Sequence, residues 1–261
     1  MYTRQRYEHL LELLVKHDYS FANFADPVSD NPNKRMVYLR HDIDYSVEMA
    51  VSFAEINQQW NAKATFFFQL RSGIYNFLSY ETLERVRRIP QLGQQIGMHF
   101  AFPPEIPGDD PLKEMIQNDF SVMKKQIPEM QQVFGWHNPL TYPGYYTGLP
   151  EEKWELSPPN LCNVYSARFS KEIPYFSDSN LRYPVEEFEK VIKQGHPRLH
   201  LLFHPFQWLS GGKTMLEVLA KTWKTIIRER EKAIVNAVYG KQFPQGMPEK
   251  YLEELAERIV G

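Results

Sequence analysis

The sequence predicts an α/β fold, a distorted (β/α) barrel of about seven mostly parallel strands with extra C-terminal helices. Short apolar runs alternate with stretches of helical period along most of the chain, which is the pattern of βαβ units. Five of those runs end in an acid or a histidine, as happens where the carboxyl ends of parallel strands share one mouth. A length of 261 residues suits one α/β barrel, so 1–261 is expected to be a single domain.

The elements follow in order. Tyr7, Leu10, Leu11 and Leu14 fall at i, i+3, i+4 and i+7 and predict an amphipathic first helix. "DPVSDNPNKR" after it is rich in turn formers and reads as a connection. Met36 to Leu39 predicts a strand, Val47 to Ile56 a helix, "ATFFFQL" a strand, Thr82 to Arg88 a helix and "QIGMHF" a strand. Asp110-Pro111 reads as the cap and first turn of the next helix, before the strand "QQVFGW". Periodicity is lost between His137 and Tyr175, and a loop that long is usually functional or mobile. "IPYFSD", a helix begun by Pro184 and the apolar "LHLLFH" complete the sheet. Met215, Leu216, Leu219, Trp223, Ile226 and Ile227 then follow helical spacing and are expected to pack outside it.

Composition narrows the function classes. With 43% hydrophobic residues, 24% charged and a net charge of -2, the chain reads as an ordinary soluble globular protein, and nucleic acid is not an expected partner. The single cysteine, Cys162, rules out an internal disulfide framework and a multi-cysteine zinc cluster, and a reducing compartment is the simpler inference. The first twenty residues lack the apolar core of a secretion signal, and no apolar run approaches the roughly 20 residues of a membrane span. The expected location is cytoplasmic.

The strand ends carry the chemistry. "VYLRHDID" closes on Asp42 and Asp44, "QIGMHF" on His99, "VFGWH" on His137, "IPYFSD" on Asp178 and "LHLLFH" on His204. Asp42 and Asp44 lie two apart, so an extended backbone points both carboxylates one way and Ile43 the other. Two carboxylates joined by imidazoles from other strands suit a divalent metal and its bound water. His9, His17, His196 and His200 are read instead as hydrogen-bonded helix, turn or core residues. Arg40 and Arg71 either bind an anionic substrate or neutralise the aspartates. Tyr142, Tyr145 and Tyr146, with Trp136 and Trp208, offer stacking surfaces for sugar rings, and core packing explains the tryptophans equally well.

At these residues the sequence resembles the polysaccharide deacetylase family (NodB homology, carbohydrate esterase 4), in its divergent branch with an Arg-His-Asp-x-Asp opening. The likeness spans about residues 36–208 and leaves about 213–261 as a C-terminal helical part. It implies that Asp42 is the catalytic base, Asp44 and His99 hold the metal, and His204 of "LHLLFHP", followed by Trp208, is the general acid. His41 and the "SDSNLRY" residues Asp178 and Arg182 are supporting groups, and Arg40, Arg71, Tyr142, Tyr145 and Trp208 are candidate substrate contacts. The sequence departs from the usual pattern four residues after His99, where the second metal histidine is replaced by Pro103. His137 of "WHNP" is the expected third ligand.

The resemblance implies a metal-dependent hydrolase of linear amide C–N bonds. It would remove an N-acyl group, acetyl first, from a sugar or precursor in surface-polysaccharide biosynthesis, such as O-antigen or other lipopolysaccharide, or capsule. Zinc is the first expectation for the metal, with cobalt, nickel and manganese as alternatives. Two other classes stay open: a catalytically inactive carbohydrate-binding descendant of the fold, and a metal-dependent phosphoesterase using the same ligand types.

Overall fold

The computed structural model describes residues 1–26, 34–139 and 149–239, together with Lys250 and Glu254. The first helix, α1 (Arg4–Lys16), starts where Thr3 Oγ1 accepts the Arg6 N–H, and it buries Tyr7, Leu10, Leu11 and Leu14. A three-residue strand, β1 (Ser20–Ala22), was too short to be seen in the sequence pattern. Next comes β2 (Met36–Ile43), four residues longer than its apolar stretch predicts, because it continues through Arg40, His41 and Asp42. Helix α2 (Val47–Gln59), capped by Ser46, leads to β3 (Thr65–Phe68), α3 (Tyr80–Gln91) and β4 (Gln95–Phe100).

Helix α4 (Asp109–Gln126) begins one residue before Asp110, with Gly108 at the cap and no side-chain capping bond. The expected Asp110 cap is therefore corrected: Asp109 and Asp110 both lie in the first turn, where acidic side chains complement the helix dipole. After β5 (Val133–Trp136), the aperiodic region contains a short strand β6 (Cys162–Asn163) and a single-turn helix α5 (Ala167–Ser170). The chain then forms β7 (Tyr175–Ser177), α6 (Val185–Lys193), β8 (Arg198–Phe203), α7 (Pro205–Leu209) and α8 (Met215–Tyr239). The burial expected along the last helix is shifted. Val218, Thr222 and Ile226 form the inward stripe at i, i+4 spacing, while Leu216, Trp223 and Ile227 are exposed.

The strands run in the order β6-β5-β4-β3-β2-β8-β7, with β1 beside the start of β2, and every pairing among the described residues is parallel. The result is a curled half-barrel flanked by helices. Alternation along β2 sorts its side chains into two layers. Val37, Leu39 and Ile43 join the outer core beneath the helices, whereas Tyr38 packs inside with Phe24, Phe67 and Val164. His41 points to the helix side, where it meets Tyr7 Oη at 3.2 Å and Asn57 Nδ2 at 3.0 Å. Arg40 and Asp42 share the inner face with Tyr38, so polar groups rise above an aromatic floor toward the carboxyl ends of the strands.

Candidate metal and catalytic centre

Arg40 and Asp42 are both buried, and they occupy each other. Arg40 Nε and Nη2 donate to the two Asp42 carboxylate oxygens, each at 2.7 Å. Burial opposes the charge on Asp42, but the guanidinium outweighs it and holds the carboxyl below its ordinary value. The guanidinium reaches across the barrel floor, with its carbon 5.2 Å from the Phe67 ring centre and 4.9 Å from that of Tyr165. Gly135 of β5 leaves the space it fills: a Cβ there would come within 2.8 Å of Arg40 Nη2.

Asp44 stands just past β2, His99 near the end of β4 and His137 just past β5. Their inward atoms form a nearly equilateral triangle. His99 Nε2 is 3.3 Å from Asp44 Oδ1, His137 Nδ1 is 3.2 Å from the same oxygen, and the two nitrogens are 3.1 Å apart. Ligands held about 2.0–2.1 Å from a tetrahedral zinc ion are separated by about 3.3 Å along each edge. The donor set, one carboxylate oxygen and two imidazole nitrogens, fits a divalent cation on chemistry as well as size. Gln69, immediately after β3, donates its side-chain N–H to Asp44 Oδ1 at 3.1 Å. Tyr75 pins that residue, accepting the Gln69 backbone N–H at 2.8 Å and donating to the Ile43 carbonyl at 2.9 Å. Burial works against the Asp44 charge, yet the His137 and His99 contacts pull its carboxyl well below the ordinary range. Burial pushes His99 down, whereas contact with Asp44 overcomes burial at His137 and moves it up.

Across the cavity, Asp178 is wholly buried and accepts three hydrogen bonds. They come from His204 Nδ1 at 2.5 Å, the His204 backbone N–H at 2.8 Å and Trp208 Nε1 at 2.7 Å. This fixes the ring so that His204 Nε2 faces the centre, 3.7 Å from Asp44 Oδ2. Burial disfavours an imidazolium there, but the Asp178 carboxylate prevails and raises the His204 pKa to about 9. Asp42, Asp44, His99, His137 and His204 thus line one cavity of about 840 Å³, which Tyr165 and Tyr175 also border.

The candidate substrate contacts fare differently. Arg40 is committed to Asp42 and has no exposed surface, so it neutralises an aspartate rather than meeting a substrate. Arg71 lies beyond the end of β3, outside the cavity lining, and its guanidinium pairs with Asp119 of α4 at 2.7 Å. Trp208 is 1% exposed, packs edge-on against Tyr2 and Phe203, and offers no face to a sugar. Trp136 is likewise buried, stacked on Phe102 with its indole N–H donated to the Trp154 carbonyl. Arg182 is at the cavity lining, and Asp178 is hydrogen-bonded to His204. Tyr142, Tyr145 and Tyr146 lie outside the described residues. Gln69, Tyr165 and Tyr175 were not singled out from the sequence. Gln69 carried a usable signal, since "ATFFFQL" is a sixth apolar run ending in a polar group.

No protein-family model matches the chain, and no curated protein matches it. Solved structures to which it is similar include deacetylases, a family 4 carbohydrate esterase from Bacillus anthracis and CE4 family pseudoenzymes. A peptidoglycan deacetylase from Bdellovibrio bacteriovorus shares 15% identity, with 81% of this chain and 56% of that one covered and a TM-score of 0.45. A CE4 family pseudoenzyme from Bacillus anthracis shares 17%, with 76% and 63% covered and a TM-score of 0.42. The chitin deacetylase of the fungal pathogen Colletotrichum lindemuthianum shares 14%, with 72% and 81% covered and a TM-score of 0.40. The chain spans less than two thirds of the length of the first two.

Proposed function

We propose that this chain is a metal-dependent carbohydrate deacetylase, a hydrolase that cleaves the amide of an N-acylated amino sugar, acetyl being the first acyl group to test. The observation that carries the reading is the Asp44, His99 and His137 triangle, flanked by an arginine-held carboxylate and faced by a carboxylate-held imidazole. Asp44, His99 and His137 would hold the ion. A divalent ion held there would supply Lewis-acid chemistry, polarising the acyl carbonyl and acidifying the attacking water.

The chain's own groups divide the proton transfers. Asp42 stays ionised across neutral pH because of Arg40, and its Oδ2 lies 3.5 Å from His99 Nε2, so it can accept the proton of the attacking water. His204 is held as imidazolium by Asp178, with Nε2 open to the cavity, and can donate to the amine as the C–N bond breaks. Water adds to the acyl carbon, and a carboxylate and a free amine leave. In the finer reading the metal is zinc, the location is cytoplasmic, and the substrate is a nucleotide- or lipid-linked precursor of a surface polysaccharide such as O-antigen or capsule.

The test is release of acetate from a panel of N-acetylated sugars and sugar phosphates by protein loaded with zinc, cobalt, nickel or manganese. Asp42→Asn should lower kcat by about 10²–10⁴ while metal content is unchanged. Full activity in that variant removes Asp42 as base, and no release by any loaded form removes the deacetylase reading.

A further inference from the structure

Among the described residues, the cavity lining carries one positive side chain with no carboxylate partner. Arg182 is the one lysine or arginine among its described lining residues. The other charged groups there have partners: Asp42 has Arg40, Asp44 has His99 and His137, and His204 has Asp178. Among the described residues no carboxylate comes within ion-pair distance of Arg182, and its guanidinium carbon lies 5.7 Å from the centre of the Tyr183 ring. An exposed arginine on an ordinary surface needs no explanation. This one is placed by unusual backbone.

Asn180 and Leu181, the two residues before it, both adopt left-handed conformations, with φ of 57° and 55°. Such φ values are uncommon for residues other than glycine, and the branched Leu181 has none of the local side-chain bonding open to an asparagine. The surrounding structure pays for that turn with specific bonds. The Leu181 N–H donates to the Asp178 carbonyl at 2.9 Å and to Gln207 Oε1 at 3.2 Å, and the Arg182 N–H to the Ser179 carbonyl at 3.2 Å. Asp178 is itself locked by His204 and Trp208, and Pro184 begins the next helix. The turn therefore places the Arg182 backbone on the same short segment that orients His204, with its side chain exposed beside the cavity.

We infer that Arg182 recognises an anionic group, a phosphate or a carboxylate, on the sugar substrate. This rests on the deacetylase reading and adds a substrate class to it. A guanidinium presents paired N–H donors that match either oxyanion. The segment around Arg182 brings Tyr175, Ser177, Ser179 and Tyr183 to the cavity lining and, among the described residues, no carboxylate. At about 840 Å³ the cavity has room for more than one N-acetylated monosaccharide, so a sugar could seat its amide at the metal ligands and extend a charged substituent to the rim.

The experiment is calorimetric titration of the whole, metal-loaded protein with N-acetylglucosamine 1-phosphate, N-acetylglucosaminuronate and neutral N-acetylglucosamine, with acetate release followed in parallel. At least one anionic sugar should bind about ten-fold more tightly than the neutral one. Arg182→Gln should lose that preference, with neutral-sugar binding unchanged within about two-fold, and Arg182→Lys should keep part of it. Tighter binding of the phosphate or of the uronate identifies the oxyanion. Equal binding of all three sugars by the wild type, or an equal loss for charged and neutral sugars in Arg182→Gln, would overturn the proposal. Anion preference without acetate release would leave Arg182 its role and remove the deacetylase reading; release without the preference would do the reverse.

Discussion

Replacing Asp178 with asparagine should convert His204 from a charged to a neutral group at neutral pH. The His204 pKa of about 9, against 6.5 for a free imidazole, corresponds to about 3 kcal/mol favouring the charged ring. That stabilisation survives burial, which alone would push the ring below 6.5, so Asp178 foremost, with Asp44 and Asp42 behind it, together contribute more than the net difference. With the carboxylate gone, the alkaline limb of kcat/KM should move from near pH 9 to below 7, and activity at pH 8 should fall by more than about ten-fold. Stability should change with it. A raised folded pKa gives a contribution fully present below pH 6.5 and lost as pH rises through about 9. The wild-type thermal midpoint should therefore drop across that window, and the Asp178→Asn midpoint should be lower at pH 6 and flatter above it. The assay is a pH–rate profile from pH 5.5 to 10 beside thermal melts at the same values. An unmoved alkaline limb in a folded variant would refute the pairing argument.

Other perturbations follow from the packing. Gly135→Ala puts a methyl group 2.8 Å from Arg40 Nη2 and equally close to Val164, which should cost about 1–3 kcal/mol by chemical denaturation and lower kcat by shifting Asp42. Wild-type kcat in Gly135→Ala would show that Arg40 does not set Asp42. Gln69→Leu removes the N–H donated to Asp44 and should weaken metal affinity about 10–100-fold in a competitive chelator titration, while leaving the Asp42 and His204 geometry in place.

The sheet was legible because its strands are short, apolar and separated by strongly amphipathic helices. The places where reading failed share a physical cause. β2 continues through Arg40, His41 and Asp42, which look like a strand's end in hydropathy yet are buried, since the barrel interior lets Arg40 and Asp42 satisfy one another. β1 and β6 are too short to show a period, and their pairing depends on neighbours distant in sequence. Asp42, Asp44, His99, His137 and His204 could be picked out because strand ends converge in this architecture, a rule about topology rather than about any one residue. What each arginine or tryptophan contacts could not be read that way. Arg71 finds Asp119 and Trp208 finds Asp178 only once helices are packed, so the same residue types that suggest substrate recognition become structural. Arg182 entered only as a supporting group through the resemblance, and its position at the cavity follows the two left-handed residues before it.

The most direct test of the account is the metal content of the protein purified without chelator, measured by elemental analysis for wild type, His137→Ala and Asp42→Asn. A near-stoichiometric divalent metal in wild type and Asp42→Asn, lost in His137→Ala, is the predicted result. Wild-type protein that takes up no zinc, cobalt, nickel or manganese, or His137→Ala that keeps its full complement, would contradict the centre formed by Asp44, His99 and His137.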